Sequence, residues 1–350
     1  MTSLAATAPP ALRPLLRFVR TPKGLCLVIF AGLVALSSVK GGGSTATSRV
    51  IVAAVSAAAL DEAIAYGRGG RLILPDGAVL TGMIVAFVLR TQESWLVLLA
   101  TVGLAILSKH LLRTRWSNVL NPAAFALVLA AIVLNTGQSW WGALPDLGIT
   151  GALVLLVVGG FIADRLNKLP MILAFLGVYF TLFTIASVYR SGIVAETFVT
   201  PDLQAALFFA FFMLDDPPTS PVRHEDQVVF GVIVAVVAYF IFMQFGGVYF
   251  LPAALLAGNL WESGRRIVIG GLRNRGAALV DVRGRRRLRV AGLGTAAIAV
   301  PLMLVLGISA TPNLSLASRP TSASSVTTTL ATSAVPGTPN AYPFLPSFQG

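Results

Sequence analysis

The chain has few charged residues and almost no cysteine or histidine. Only 11% of its 350 residues are charged, whereas soluble globular domains carry roughly 25%. The single cysteine, Cys26, lies inside an apolar run, which excludes a disulfide framework or a four-thiolate iron–sulfur cluster made by this chain alone. The two histidines, His110 and His224, lie at the ends of apolar runs, so a bis-histidine haem at mid-membrane is not expected.

What the chain has in excess is hydrophobic residues, at 56%, and positive charge, with a formal net charge of +12. A nucleic-acid-binding protein spreads its lysines and arginines over a solvated face with interleaved aromatic residues. Here the cations lie in short loops beside apolar runs, which is typical of membrane proteins. We therefore expect the bilayer, and not nucleic acid, to be the main partner of the chain.

Eleven apolar runs predict an all-α polytopic membrane protein with about ten transmembrane helices and an additional eleventh. The runs cover approximately residues 24–39, 50–65, 78–90, 94–108, 122–134, 147–163, 170–188, 203–214, 227–245, 248–262 and 290–309. The third and eighth runs are short. At 1.5 Å per residue each would be under about 20 Å long, against a hydrocarbon core of about 30 Å.

The loops between these runs alternate between rich and poor in arginine and lysine. By the positive-inside rule, this alternation predicts a cytoplasmic N-terminus, an external C-terminal tail and a location in the bacterial inner membrane. The predicted division of the chain is a basic N-terminal segment at 1–23, a transmembrane core at 24–263 with repeats at 24–134 and 147–263, an arginine-rich cytoplasmic loop at 264–289, a further helix at 290–309 and a disordered Ser/Thr/Pro-rich tail at 310–350. The arginine-rich loop has two interpretations, a clamp for lipid headgroups or a docking surface for an acidic partner.

Paired landmarks predict that the core is an inverted repeat of five plus five helices. Pro75-Asp76 introduces the third run and Pro201-Asp202 the eighth, while Pro122-Ala123-Ala124 opens the fifth and Pro252-Ala253-Ala254 lies in the tenth. Because five is an odd number, the two halves should face in opposite directions. Short helices at equivalent positions of two inverted halves point to a binding site at mid-depth between them.

Four segments resemble one family of membrane proteins. They are LPDGAVLTGMIVAFVL at 74–89, SKHLLRTRWSNVLNPAAFALVLA at 108–130, FFMLDDPPTSP at 211–221 and FGGVYFLPAALLAGN at 245–259. Their order and spacing resemble the RnfD and NqrB subunits of bacterial flavin-dependent electron-transport complexes. The resemblance implies a membrane subunit that holds flavin and exchanges electrons with separately encoded redox subunits, in some complexes coupled to Na⁺ or H⁺ movement.

The resemblance also implies a cofactor, but the chain departs from the family in the Thr-Asp-Pro element, where Asp215 replaces the threonine, and in the motif for covalent attachment. Covalent flavin in this family is attached to the threonine of a Ser-x-Ala-Thr motif between the fifth and sixth helices, and the connection NTGQSWWGALPD at 135–146 has no such motif. We therefore expect FMN or riboflavin to be bound non-covalently, if it is bound. The residues expected to bind it are Thr81, Gly82, Lys109, Asn121, Asp216 and Asn259.

Each of these residues also has a structural interpretation. Thr81 and Gly82 would serve helix packing, Lys109 the charge bias of the loop, and Asn121 the N-cap of a helix. The neighbouring carboxylates Asp215 and Asp216 would form either a turn before the prolines or a site that handles protons or cations. Trp140 and Trp141 are predicted to lie in an external aromatic belt.

The leading hypothesis is therefore a membrane subunit of an Rnf/Nqr-like electron-transport system. The same inverted architecture would also suit a channel or permease for a small polar solute. A scaffold that anchors partners through the arginine cluster is a third possibility.

Overall fold

The computed structural model describes residues 18–38, 43–69, 74–114, 118–189, 202–246 and 248–277. Within these ranges the regular structure is helical, and the only β contacts are two isolated bridges, so the all-α prediction is confirmed. The predicted eleventh helix and the C-terminal tail lie outside the described residues.

Ten α-helices are present in the described part of the chain. They are α1 (Pro22–Ser38), α2 (Gly43–Gly67), α3 (Asp76–Val88), α4 (Trp95–Leu111), α5 (Pro122–Val133), α6 (Gly148–Arg165), α7 (Leu169–Tyr189), α8 (Asp202–Phe212), α9 (His224–Phe245) and α10 (Phe250–Ala277). Two 3₁₀ turns, Trp141–Ala143 and Pro145–Leu147, lie between α5 and α6. Each helix falls on one of the first ten apolar runs.

Four stretches of the described chain are long and apolar enough to cross a bilayer. They are Thr45–Gly67, Trp141–Arg165, Leu169–Val188 and His224–Phe245. Helices α3 and α8 are much shorter, with 13 and 11 residues, or about 20 and 17 Å at 1.5 Å per residue. The membrane character of the chain and the shortness of these two helices agree with the sequence prediction.

The two short helices run in opposite directions between the ends of the bundle. We call these the Asn121 end, where Asn121, Lys23 and Asp216 lie, and the Trp141 end, where the connection 135–147 lies. Helix α3 begins at the Asn121 end, where Asp76 accepts a hydrogen bond from Lys23. Helix α8 ends at the Asn121 end: the next residue, Met213, accepts a hydrogen bond from Asn121. This antiparallel arrangement is what an inverted repeat requires, while the full five-plus-five repeat stays a prediction.

Aromatic rings fill the space between the two short helices. Phe87 of α3 packs on Phe208 of α8, and Phe30 of α1 contacts both of them as well as Phe212, with ring centroids 5.1 to 6.2 Å apart. All four side chains are buried. A ligand at mid-depth between these helices would therefore require the rings to move.

Two predictions differ from the structure. The arginine-rich segment, expected as a loop from 264, continues α10 as helix to Ala277, because Glu262 pairs with Arg265 and Arg266 one turn later and stabilises the helix there. Trp140 does not lie in an aromatic belt: it is 8% exposed and packs on Phe208 and Phe209. The connection 135–147 folds back onto the bundle, and Trp141 Nε1 donates to the Ala86 carbonyl at 2.6 Å.

Candidate functional site

Asn121 is both the N-cap of α5 and the centre of a buried polar contact between distant helices. Its side-chain Oδ1 accepts a hydrogen bond from the Ala124 N–H at 3.0 Å, which satisfies one of the unpaired donors at the start of α5. Its own backbone N–H donates to Oδ1 of Asn259 at 2.8 Å, 138 residues further along the chain. The N-cap interpretation is therefore confirmed, and the residue also joins α5 to α10.

Asn259 completes this contact from the middle of α10. It is fully buried, and its Nδ2 donates to the Thr219 carbonyl at 3.3 Å. Asn121 Nδ2 donates to the Met213 carbonyl at 3.4 Å. We call the four residues Asn121, Asn259, Met213 and Thr219 the amide junction. It connects α5, α10 and the segment between α8 and α9 without any charged group.

Asp215 and Asp216 lie inside that segment, next to the amide junction. Asp215 is 5% exposed, and Asp216 accepts a hydrogen bond from the Thr219 hydroxyl at 2.9 Å. Burial raises the pKa of Asp216 to about 6, and burial together with the neighbouring Asp216 charge raises the pKa of Asp215 well above its usual value. The pair can therefore hold a proton at a pH where an exposed aspartate could not.

Basic side chains hold the backbone of the same segment. Arg266 donates to the Pro218 and Ser220 carbonyls at 3.1 and 2.8 Å, and the buried Lys168 donates to the Pro221 carbonyl. Glu262, which is 1% exposed, orients Arg266 through a contact of 2.6 Å. Because these donors bind carbonyl oxygens, they fix the course of the segment while leaving Asp215 outside their hydrogen bonds.

The other three predicted site residues lie away from the junction. The Thr81 hydroxyl donates to the Gly77 carbonyl within α3. Gly82 lies so close to α2 that a Cβ there would be 2.4 Å from the Ala53 carbonyl oxygen, so it serves helix packing. Lys109 contacts both oxygens of Asp61 at 3.0 and 3.1 Å, so its positive charge is already paired with a carboxylate.

Several residues of the site were not expected from the sequence. Glu262 could have been found, because it ends the tenth apolar run and lies four residues before Arg266, the spacing at which a continuing helix pairs opposite charges. Lys168 and Thr219 carried no such signal, since each contacts a partner through a turn whose geometry the apolar pattern does not specify.

The family comparison covers the second half of the core. Residues 134–260 match the model of the NQR2, RnfD, RnfE family, a stretch that includes Asp216 and Asn259. No curated protein matches the chain. The membrane-spanning helices and this family together indicate a membrane subunit of the kind found in Rnf- and Nqr-type complexes of the bacterial inner membrane. The match confirms the resemblance seen in the motifs: over residues 134–260 the chain is similar to the NQR2, RnfD, RnfE family.

Proposed function

We propose that this chain is the membrane subunit of an Rnf/Nqr-like electron-transport system and that the amide junction forms part of a non-covalent flavin site. The observation that supports this proposal is the convergence of three of the expected site residues. Asn121, Asp216 and Asn259 come from three separate elements of the chain and lie in one buried cluster of hydrogen bonds.

The residues of the junction suit the hydrogen-bonding edge of an isoalloxazine ring. A primary amide nitrogen carries two hydrogens, and the contacts described above use one hydrogen each on Asn121 and Asn259. Each buried amide thus keeps an N–H that could donate to a ring oxygen or nitrogen. FMN or riboflavin would supply the one- and two-electron chemistry that protein side chains lack.

The chain itself would orient and insulate the cofactor. The amides would fix the ring edge, and the packed aromatic rings between α3 and α8 would exclude water from the direction of the membrane. Asp215 and Asp216 would take up a proton when an electron arrives nearby, because negative charge raises the proton affinity of a neighbouring carboxylate. Coupling of electron transfer to cation movement is part of this proposal.

The orientation and partners are proposed from the charge bias of the loops. The Asn121 end, which holds Lys109, Lys168 and Arg266, would face the cytoplasm, and the C-terminal tail would be external. Electrons would enter or leave through separately encoded redox subunits, in keeping with a family found in multi-subunit complexes.

The test is the absorption spectrum of the purified full chain in mild detergent. We expect the two absorption bands of an oxidised flavin, and we expect acid precipitation to release that flavin into the supernatant because the attachment is non-covalent. Asn121→Ser should reduce the flavin content at least tenfold, because serine keeps the N-cap oxygen but removes the amide donor. Ser263→Ala, which removes a single hydrogen bond to the Val119 carbonyl on the same helix as Asn259, is the matched control.

Two results would contradict the proposal. A colourless protein that speeds the flux of a small polar solute into liposomes would support a permease instead. Flavin that stays with the acid-precipitated protein would show a covalent bond and would overturn the non-covalent site.

A further inference from the structure

A second polar cluster at the Asn121 end joins α2 to α4 through a histidine. Asp61 of α2 accepts a hydrogen bond from His110 Nε2 at 2.7 Å and contacts Lys109 at 3.0 Å. On the other side of the imidazole ring, Nδ1 of His110 lies 3.3 Å from Nη1 of Arg68, the residue just after α2. None of these contacts belongs to the amide junction.

The chemistry of Arg68 fixes the protonation state of His110 in this arrangement. A guanidinium has hydrogen-bond donors and no acceptor, so Nδ1 must offer a lone pair to Arg68. The proton of the neutral ring then lies on Nε2 and is donated to the Asp61 carboxylate. The contact between Arg68 and His110 can therefore exist only while His110 is neutral.

The groups around the ring are of both signs. Helix α2 contributes Asp61, Arg68 follows directly after that helix, and α4 contributes Lys109. The neighbouring pair of Lys23 from α1 and Asp76 from α3 is joined at 2.8 Å and lies by Gly77, close to Lys109. The side chains of His110 and Asp61 are 14% and 15% exposed, so solvent screens their interaction only partly.

We propose that Arg68 and His110 form a pH-sensitive latch between the end of α2 and the end of α4. When His110 takes up a proton, Nδ1 becomes a donor and the ring becomes positive, so it repels Arg68 while keeping Asp61 as its partner. The end of α2 at Arg68 and Gly69 then separates from α4. If the Asn121 end faces the cytoplasm, the latch is opened by cytoplasmic acidification.

The composition of the chain offers a clean test, since it has only two histidines. In His224→Gln protein labelled with ¹⁵N-histidine, the remaining imidazole signals come from His110 alone. At pH 8 we expect the neutral tautomer with its proton on Nε2. A neutral ring with its proton on Nδ1 would overturn the proposal, because Arg68 could not then bind it.

The opening of the latch is measured by hydrogen–deuterium exchange of the peptide that contains Arg68, corrected for the intrinsic pH dependence of exchange. Between pH 8 and pH 6 we expect corrected exchange to rise about fivefold, the factor for losing a contact of about 1 kcal/mol. In His110→Gln the rise should disappear, whereas in His224→Gln it should remain. In Arg68→Gln the rise should also disappear, because that variant has no guanidinium for the protonated ring to repel.

Equal pH dependence in wild type and His110→Gln would overturn the latch. So would a rise of wild-type size in Arg68→Gln. Neither result depends on whether flavin is bound, so the latch and the proposed function are tested separately.

Discussion

The two ends of the helix bundle are held together by different kinds of contact. At the Asn121 end, buried amides and charges from distant parts of the chain bind backbone carbonyls, as Asn259 and Arg266 do. At the Trp141 end, the connection 135–147 packs its tryptophans on phenylalanines and binds backbone groups of its neighbours. The cation Arg49 at that end stacks on Trp95 and donates to the Glu93 carbonyl.

The difference shows where polar chemistry is concentrated. Buried polar groups cost free energy unless they are paired, so a fold keeps a cluster of them only where several partners are available. The Asn121 end supplies such partners from α5, α10 and the α8–α9 segment. The Trp141 end achieves its packing mainly with apolar rings, which is why the proposed cofactor site is assigned to the other end.

The largest effect is expected from removing an amide at the Asn121 end. Asn259→Leu leaves the Asn121 N–H and the Thr219 carbonyl buried without a partner, at roughly 1–3 kcal/mol for each group. We expect the free energy of unfolding in detergent to fall by about 3 kcal/mol, measured by thermal or denaturant unfolding. A loss no larger than that of Ser263→Ala would contradict the central place of the amide junction.

Close packing of α3 on α2 should give the next largest effect. Gly82→Ala places a methyl group 2.4 Å from the Ala53 carbonyl oxygen and so pushes the helices apart, at a cost of about 2 kcal/mol. The control is Gly103→Ala on α4, where nothing lies within 4 Å of the new methyl group and no loss is expected. The measurement is the unfolding midpoint of each variant in the same detergent. Equal midpoints would rule out close helix packing as the role of Gly82.

Asp216→Asn should stabilise the protein at neutral pH. The pKa of Asp216 is about 6 in the folded chain against an ordinary value of 3.8. The folded state therefore binds the proton more tightly, and stability is lost as pH rises through that interval. Asparagine keeps an acceptor for Thr219, so we expect a gain of about 1–2 kcal/mol at pH 7.5 that vanishes near pH 4. A gain in stability of the same size at pH 4 and at pH 7.5 would contradict a raised pKa of Asp216 in the folded state.

The smallest of these effects is expected at the Trp141 end. Trp141→Phe removes the hydrogen bond from Nε1 to the Ala86 carbonyl but keeps an aromatic ring against Phe87. We expect a loss of about 1 kcal/mol and unchanged flavin content. A loss of stability as large as that of Asn259→Leu, or a lower flavin content, would contradict the claim that the polar cluster at the Asn121 end matters more than the contacts at the Trp141 end.

The apolar pattern was enough to predict the helices but not their contacts. Each of the first ten runs became a helix, because an apolar segment inside a bilayer can satisfy its own backbone groups only in that way. The bond between Asn121 and Asn259 could be anticipated only through the family motifs, because hydropathy does not indicate which helices meet. The helical extension to Ala277 could not be predicted from hydropathy, because a dense run of arginines is typical of a loop. The ion pair of Glu262 with Arg265 neutralises part of that charge.

The burial of Trp140 was missed for a related reason. A tryptophan in a loop beside an apolar run is equally compatible with a membrane interface and with a fold-back onto the bundle. Only the positions of Phe208 and Phe209 distinguish the two.

The most direct test of the account is the side of the membrane on which each short helix begins. In a Cys26→Ala background, Asp76→Cys and Asp202→Cys are labelled in intact cells and in inside-out vesicles with a membrane-impermeant thiol reagent. We predict that position 76 is reached only in inside-out vesicles and position 202 only in intact cells. Labelling of both positions from the same side would contradict the antiparallel arrangement of α3 and α8, and with it the inverted repeat and the cytoplasmic assignment of the Asn121 end.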